Sequence, residues 1–534
     1  MSRKPSVRTY GKRPRKPQLT AGGHMALGEL DPNMSITTVK TRSTDKDDSI
    51  KELTAKVKNI KIQDEEKPTT RRRLVPQPSL TPASPPASAP IRAPETPKQS
   101  KRKGRASIAT PLQELENQEA LRILEWEDVC PLGDRIEKIA EASYAEVYRI
   151  SNDRGTSIIK VIRLESPIKP QTKAQQKSGL VDEEPHSEED LEGELRISEL
   201  VADIPGFVVY KEKYLVQGKT TPALLETHQS YQRKMKRKDP GRLQFYPSPS
   251  RYLKDTRFLV VELGDAGTAL EDLEIDSTDQ MWDIFLGVTV ALARAENLIR
   301  FEHRDLHEGN ICFRQSRPSR SKADATPCRF GYSGLDVTIL DYGLSRAEDA
   351  DAFNSAPIAH DLERDLSLFT STHANQCKVY RQMRSYLINF DRIWVPPEAH
   401  NKPYEKSING STISWYQHHP YTNALWLAYL YDYLITSFQG DKKELKAFKK
   451  ETQELWAHLD PEACLEIMSF SSAEDIVEFA VEAGWITEAQ LASCGVSEEY
   501  SIMGEESIIE TRTAGAEDAH LRRSPRKQTR PLAI

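Results

Sequence analysis

The tightest constraint on this chain is the stretch Glu302-His303-Arg304-Asp305-Leu306-His307-Glu308-Gly309-Asn310, followed thirty-one residues after Asn310 by Asp341-Tyr342-Gly343-Leu344-Ser345-Arg346. A carboxylate, an amide and a second carboxylate at these separations are the set that phosphoryl transfer from a magnesium nucleotide needs. Asp305 orients a hydroxyl and accepts its proton, while Asn310 and Asp341 hold the metal ion. The rest of the chain reads as support for that site or as delivery to it.

At 534 residues the chain suits two or three ordinary domains, or one large domain with long tails. Its 33 prolines, 38% hydrophobic content and mean hydropathy of -0.61 favour the second. Residues 1–110 carry 24 Lys/Arg against 10 Asp/Glu, and residues 504–534 carry 6 against 5. The formal total of -6 therefore leaves a charge of -21 on residues 111–503. A basic arm suits nucleic acid, chromatin or an import receptor, and an acidic body draws in a cationic substrate, although acidic charge also serves simply to keep a large domain soluble.

The six cysteines are scattered without metal-ligand spacing, which points to a reducing compartment and not to a disulfide framework. No uncharged apolar run approaches the roughly 18 residues of a membrane span, so the expectation is a soluble, unsecreted protein. Basic clusters at Lys12-Arg13-Pro14-Arg15-Lys16, Arg71-Arg72-Arg73 and Lys101-Arg102-Lys103-Gly104-Arg105 have the composition of nuclear localisation signals.

Residues 1–112 lack sustained periodicity and become proline-rich over 76–97, the composition of a disordered arm. Leu112, Leu115, Ala120, Leu121 and Leu124 suggest a helix leading into the folded body. Between positions 136 and 164, β-branched runs on either side of Asn152-Asp153-Arg154-Gly155 predict antiparallel strands. A polar insertion over 166–185 precedes a helix with an acidic first turn, starting near Ser187. Strands are expected near 208–214 and 257–263, separated by a basic insertion containing Lys234-Met235-Lys236-Arg237-Lys238. Residues 281–298 form a strongly apolar helix that leads into the first motif, and 424–434 is apolar on most faces and therefore buried. After about residue 500 pattern is lost, which suggests a short disordered basic tail. The reading is α+β: a β-rich small lobe over 113–263 and a helical large lobe over 264–500, with the motif near their junction.

Protein kinases place their parts in a fixed order: a phosphate loop, a strand lysine, a helix glutamate, a catalytic Asp/Asn loop and a metal-binding Asp. Residues 140–148, Lys160, Glu194, Asp305 with Asn310, and Asp341 meet that order. Lys160 ends a β-branched run, so the sheet holds its stem while its ammonium reaches phosphates. Glu194 fixes its rotamer through a charge-assisted hydrogen bond. A lone lysine there would read as an edge-strand device, and Glu192 and Glu199 compete with Glu194 for the pairing role. His303 and His307 stand four apart but lack a third metal ligand; His303 reads as a brace for the catalytic loop, and Arg304 as a neutraliser of charge near the segment after Asp341.

The sequence resembles the haspin-type kinases, an atypical branch of the eukaryotic Ser/Thr protein kinases. The residues that carry the resemblance are His303-Arg304-Asp305-Leu306-His307 with Gly309-Asn310, Asp341 to Arg346, Asp365 with Leu368-Phe369-Thr370, and Val379-Tyr380-Arg381. They continue with His419-Pro420-Tyr421-Thr422-Asn423-Ala424-Leu425-Trp426-Leu427 and Ser471-Ser472-Ala473-Glu474-Asp475. The resemblance implies a two-lobed kinase fold, ATP and Mg2+, nuclear phosphorylation of a threonine near the histone H3 amino terminus in mitosis, and an activation segment active without phosphorylation. It implies nucleotide contacts at Ala140, Glu141, Ala142, Ala145 and Lys160 and at the hinge residues Glu262, Leu263, Gly264 and Asp265. It also implies histone-tail contacts at Glu141 and Asp365.

The phosphate loop departs from the family: alanine replaces glycine at 140, 142 and 145. Alanine adopts positive φ at a cost and puts a methyl where backbone approaches phosphate. Glu308 and Ala269 also differ from the usual residues. A pseudokinase acting as a chromatin scaffold and a small-molecule phosphotransferase are therefore the alternative readings.

Overall fold

A computed structural model describes residues 123–493, except 143, 178–179, 181, 243, 245, 322–326, 350–355 and 373, together with residues 506–509. The basic arm and the first part of the helix expected from Leu112 lie outside the described residues. The described end of that helix is instead a strand, β1 (Ile123–Leu124), followed by the short helix α1 (Trp126–Val129). Leu124 is held by parallel pairing with the strand at Val216, so sheet pairing overrides the helical spacing there.

The small lobe is a six-stranded sheet of order β1-β5-β6-β4-β3-β2, with β2 Arg135–Glu141, β3 Glu146–Asn152, β4 Gly155–Arg163, β5 Tyr210–Gln217 and β6 Arg257–Gly264. The turn expected at 152–155 closes the β3–β4 hairpin, pairing Asn152 with Gly155, whose φ of 139° only glycine takes without strain.

Side chains alternate across a strand, and that alternation sorts the sheet into two faces. On one face Tyr148, Ile150, Ile159, Val161, Phe258 and Val260 pack with Trp126, Tyr252, Ile508 and Ile509. On the other, Ala145, Ile162, Leu259 and Val261 pack against Leu191. Lys160 shares the second face with Ile162, which aims it at the helix carrying Leu191. That helix is α3 (Glu188–Val201); the insertion before it holds the short α2 (Lys173–Lys177). The basic insertion between β5 and β6 is also helical: α4 (Pro222–Lys238) is capped by Thr221 and presents Lys236, Arg237 and Lys238 in its last turn.

Beyond β7 (Thr268–Ala269), the large lobe is organised on α5 (Thr278–Ile299). Ser277 and Gln280 close a capping box at its start, and Arg300 ends it at φ 48°. It is buried nearly all round, from Met281 to Ile299. Each fully buried Leu, Ile, Val or Phe contributes roughly 1.5–3 kcal/mol of transfer free energy. α8 (Tyr421–Ser437) and α11 (Ala473–Glu482) pack on it. Between α5 and α8 lie β8 (Ile311–Gln315), β9 (Leu335–Ile339), β10 (Arg346–Ala347), β11 (Ile358–Ala359), α6 (Ser367–Thr370) and α7 (Gln376–Asn389). Two further helices, α9 (Lys442–Glu451) and α10 (Gln453–Leu459), precede α11, and α12 (Glu488–Ser493) follows it. Among the described residues no helix is long and apolar enough to cross a membrane.

Residues 506–509, which fall within the expected disordered tail, are packed against the small lobe, with Ile508 and Ile509 buried. The correction has a simple cause: two adjacent isoleucines in an otherwise polar stretch find an apolar sheet face.

Gly267, just after β6, has φ 91°, and a Cβ built on it would lie 2.3 Å from the carbonyl oxygen of Phe313. Both the dihedral and the clash with backbone oppose any side chain. Gly267→Ala is expected to lower unfolding stability by roughly 2–4 kcal/mol in urea denaturation; an unchanged midpoint would refute the assignment.

Candidate active site

The register of the β8–β9 ladder assembles the first motif with the second. Ile311 pairs with Ile339, so the residues just outside the ladder, Asn310 and Leu340, meet, and the Leu340 amide donates to the Asn310 carbonyl at 2.9 Å. The thirty-one-residue separation is therefore a hairpin with a long connection, and it puts Asp341 beside the loop that contains Asp305. The Asn310 side-chain amide donates to the Asp305 carbonyl at 2.8 Å, leaving its oxygen to serve as a metal ligand. Asp341 sits at φ 62°, with its carboxylate receiving the Gly343 amide at 3.4 Å.

The small lobe meets these residues from above. Lys160 Nζ lies 2.5 Å from Glu194 Oε1, with both side chains largely buried. Neither Glu192 nor Glu199 takes this place; Glu199 pairs with Lys213 at 2.9 Å on the surface. A Cβ on Gly343 would lie 3.5 Å from each of Asp341 Oδ1, Glu194 Oε2 and the Tyr144 hydroxyl, so the two lobes' functional groups converge on one point.

The phosphate loop is the β2–β3 turn, closed by an Ala142 amide donating to the Ala145 carbonyl at 2.8 Å. Ala140, Ala142 and Ala145 all keep negative φ, so this turn does not ask for the conformation that glycine supplies. Ala145 is fully buried, its methyl filling the face shared with Ile162 and Leu191. Ser143 is outside the described residues. Tyr144 sets its ring 4.6 Å from Lys160 Nζ, with its hydroxyl 3.3 Å away.

Two residues that the resemblance assigned to ligands have internal partners here. Glu141 is buried; its carboxylate accepts from Lys138 at 2.8 Å, Gln232 at 2.6 Å and Arg242 at 2.6 Å. Glu262 is fully buried on the sheet face opposite Lys160, so its side chain does not line the nucleotide cleft. Of the other hinge residues, Leu263 packs with the Lys160-face residues, the Gly264 amide donates to the Val209 carbonyl, and Asp265 pairs with Arg149 at 3.2 Å. Asp365 gives one oxygen to the Ser367 amide at 2.9 Å, while its Oδ2 is buried without a hydrogen-bond partner among the described residues.

The catalytic loop hangs from a buried polar socket. Glu302 accepts from the His419 amide at 2.6 Å, the Thr422 hydroxyl at 3.0 Å and Arg304 Nε at 3.0 Å. Arg304, at φ 62°, donates to the Trp415 carbonyl at 2.7 Å and so fixes the loop, while Asp361 of the segment after Asp341 also acts on its charge. Asn423 Oδ1 accepts from the His303 amide, and its Nδ2 donates to Glu296 and to the Phe301 carbonyl. Glu296 in turn receives the Ala473 and Glu474 amides; burial outweighs these donors and pushes its pKa up to about 8.

His303 stands between the two motifs. The Asp305 amide donates to Nδ1 at 3.3 Å, so the proton belongs on Nε2, which faces the Leu340 carbonyl at 3.0 Å. Burial pulls its pKa down to about 4. Asp305 itself is buried, receiving a hydrogen bond from the Tyr380 hydroxyl, whose own pKa is held well above its ordinary value, first by burial. Glu302, Tyr380 and Asn423 stood within quoted motifs in the sequence reading but had no individual role, and Glu296 was not singled out. Their signal was a polar side chain inside an apolar helical run, legible for Glu296 and Asn423.

The segment after Asp341 is fixed by side chains of this chain. Ser345 donates to the His303 carbonyl at 2.9 Å, Arg346 to the Arg300 carbonyl at 2.8 Å, and Arg384 holds Glu363 with two bonds of 2.7 and 2.8 Å. Among the described residues no cluster of three or more His, Cys, Asp or Glu side chains is arranged to hold a metal. Asn310 and Asp341, on the two motifs, carry hard oxygen atoms of the kind that would suit magnesium completed by phosphates and water.

Residues 105–479 match the family described as "Haspin like kinase domain". The Serine/threonine-protein kinase haspin of Mus musculus is 29% identical over 350 residues, covering 64% of this chain and 41% of that protein. The haspin homolog hrk1 of Schizosaccharomyces pombe is 26% identical over 392 residues, covering 67% and 68%. The haspin homolog of Arabidopsis thaliana is 26% identical over 336 residues, covering 60% and 48%. The chain spans about two fifths of the length of the mouse and cattle relatives.

A histidine whose pKa falls on folding stabilises the protein above its unfolded value near 6.5 and loses that contribution as pH drops toward 4. His303 is therefore expected to remain the neutral Nε2–H tautomer at pH 5 in histidine NMR. The stability difference between wild type and His303→Gln should shrink between pH 6.5 and 4. A His303 titration midpoint near 6.5 would contradict the buried-brace assignment.

Proposed function

We propose, on the premise that this chain belongs to the haspin-like kinase family, that it is a Ser/Thr protein kinase acting on a threonine near the amino terminus of histone H3 in mitotic chromatin. The observation that carries the catalytic part is the convergence of Lys160, Glu194 and Asp341 beside the Asp305–Asn310 loop. When bound, Mg-ATP supplies the phosphoryl group. Lys160, held by Glu194, positions the α- and β-phosphates, while Asn310 and Asp341 provide oxygen ligands to the ion. Asp305 orients the substrate hydroxyl and takes its proton, exchanging the Tyr380 hydroxyl for that of the substrate.

The substrate assignment rests on charge. A body of -21 attracts a lysine- and arginine-rich tail over long range. The Asp365 oxygen that has no hydrogen-bond partner among the described residues supports a cationic contact, whereas Glu141 already pairs with Lys138 and Arg242. The basic arm, with its three clusters, fits nuclear import and chromatin association. The intact Lys160–Glu194 pair and the unstrained alanine loop both weigh against a scaffold without catalysis.

Purified protein with Mg-ATP and a histone H3 amino-terminal peptide should incorporate phosphate on threonine, and Asp305→Asn should lower the rate roughly 10²–10⁴-fold. Nucleotide binding without transfer to any peptide would favour the scaffold instead. Raising ionic strength from about 0.05 to 0.3 M should raise the peptide KM while leaving kcat nearly constant. A KM indifferent to salt would remove the electrostatic argument for a histone tail.

A further inference from the structure

Glu262 belongs to the hinge strand, yet its fully buried carboxylate points away from the nucleotide cleft. Four donors meet it: Ser157 Oγ at 2.7 Å, Tyr214 OH at 3.4 Å, Ser507 Oγ at 2.6 Å and the Ile508 amide at 2.9 Å. Half of these come from residues 506–509, two hundred and forty-five positions or more along the chain from Glu262.

The same segment is held at other points. Asn152 Nδ2 donates to the Ile508 carbonyl at 3.2 Å, and Arg154 donates to the Ser507 carbonyl at 2.9 Å, so the β3–β4 turn grips its backbone. Ile508 and Ile509 are 3% and 5% exposed, packed with Tyr148, Ile150, Ile159 and Val260. Ile159 precedes Lys160 and pairs with Glu262 across the β4–β6 ladder. The segment therefore touches, on the outer face, the strands that carry the phosphate-binding lysine and the hinge on the inner face.

We propose that residues 506–509 are a docking clip that positions the nucleotide site from behind, and that Ser507 is a modification site whose phosphorylation releases it. Docked, the clip supplies Glu262 with two of its hydrogen bonds and fixes β4 against β6. A buried carboxylate that loses donors must rearrange or draw in water, which shifts the strand bearing it. Phosphorylation would transfer a phosphoryl group from ATP to Ser507 Oγ, leaving ADP and releasing the hydroxyl proton. It would place about two negative charges where the Glu262 carboxylate already lies, a site with no room for them. Glu505, Glu506 and Glu510 flank Ser507, so an acid-directed Ser/Thr kinase is the class of enzyme suited to modify it.

The test compares the full chain with one lacking residues 501–534, reading the Kd of a fluorescent ATP analogue, which needs no phosphoryl transfer and so separates failure here from failure of the proposed kinase activity. Deletion should weaken the analogue by about fivefold or more, and a synthetic peptide of residues 501–513 added in trans should restore it. By reciprocity, the analogue should tighten peptide binding by the same factor in fluorescence anisotropy. The peptide carrying phosphoserine at 507 should neither bind nor restore, and Ser507→Glu in the full chain should resemble the deletion. An unchanged analogue Kd with only a lower melting temperature would make the segment a structural staple and overturn the coupling. A phosphopeptide that binds as well as the unmodified one would overturn the release.

Discussion

The catalytic geometry depends on a carboxylate with no access to water. Glu302 is fully buried, as are its partners Arg304 and Thr422. A charge placed there is tolerable only with its hydrogen bonds complete, and breaking such a set by removing one partner typically costs 3–5 kcal/mol. That cost makes the arrangement stiff: the chain cannot let the loop drift without exposing an unpaired ion to a low-dielectric interior. Asp305 inherits its position from this stiffness, being three residues away on a loop whose other attachments, at His303 and Asn310, are also hydrogen-bonded from opposite sides. The signature stretch from His419 to Asn423 is thus best understood as a socket, since its amide, hydroxyl and carboxamide groups hold the start of the loop at Phe301, Glu302 and His303.

The small lobe uses a different constraint, the alternation of a strand. Lys160 and Glu262 lie in paired strands, but on opposite faces. The inner face needs a cation that reaches Glu194 and phosphate. The outer face is free to bury what the fold needs for its own stability, and there it collects an acid, three tyrosines and the 506–509 segment. A reading in which every hinge residue faces the nucleotide overlooks that only every second one does.

Much of this was legible in the sequence. The strands around residues 152–155, the helix from Glu188, the buried α5 and α8 and the paired motifs all follow from periodicity, turn chemistry and motif order, because each depends on neighbours in sequence. The parts that were not legible depend on partners far away. Glu141 looked available because, apart from Lys138 three residues before it, its partners Gln232 and Arg242 lie 91 and 101 residues away. The 506–509 segment looked patternless because four residues carry no period, and only the sheet face they cover explains the two isoleucines. Tyr380 sits seventy-five residues from the carboxylate it touches, and no local signal links them.

The alanine-substituted phosphate loop shows how a local rule can be met differently. Glycine is required where φ is positive or where a methyl would collide, and neither condition holds at the alanines of this turn. Ala145 goes further: its methyl occupies core volume that glycine would leave empty, so the substitution strengthens the joint between the hairpin and α3. Next to this joint Tyr144 lies over Lys160, its ring 4.6 Å and its hydroxyl 3.3 Å from the ammonium. The Lys160 ammonium is accordingly held from two sides, by an aromatic ring with its hydroxyl and by the Glu194 carboxylate, so the short turn and the helix α3 together fix one side chain.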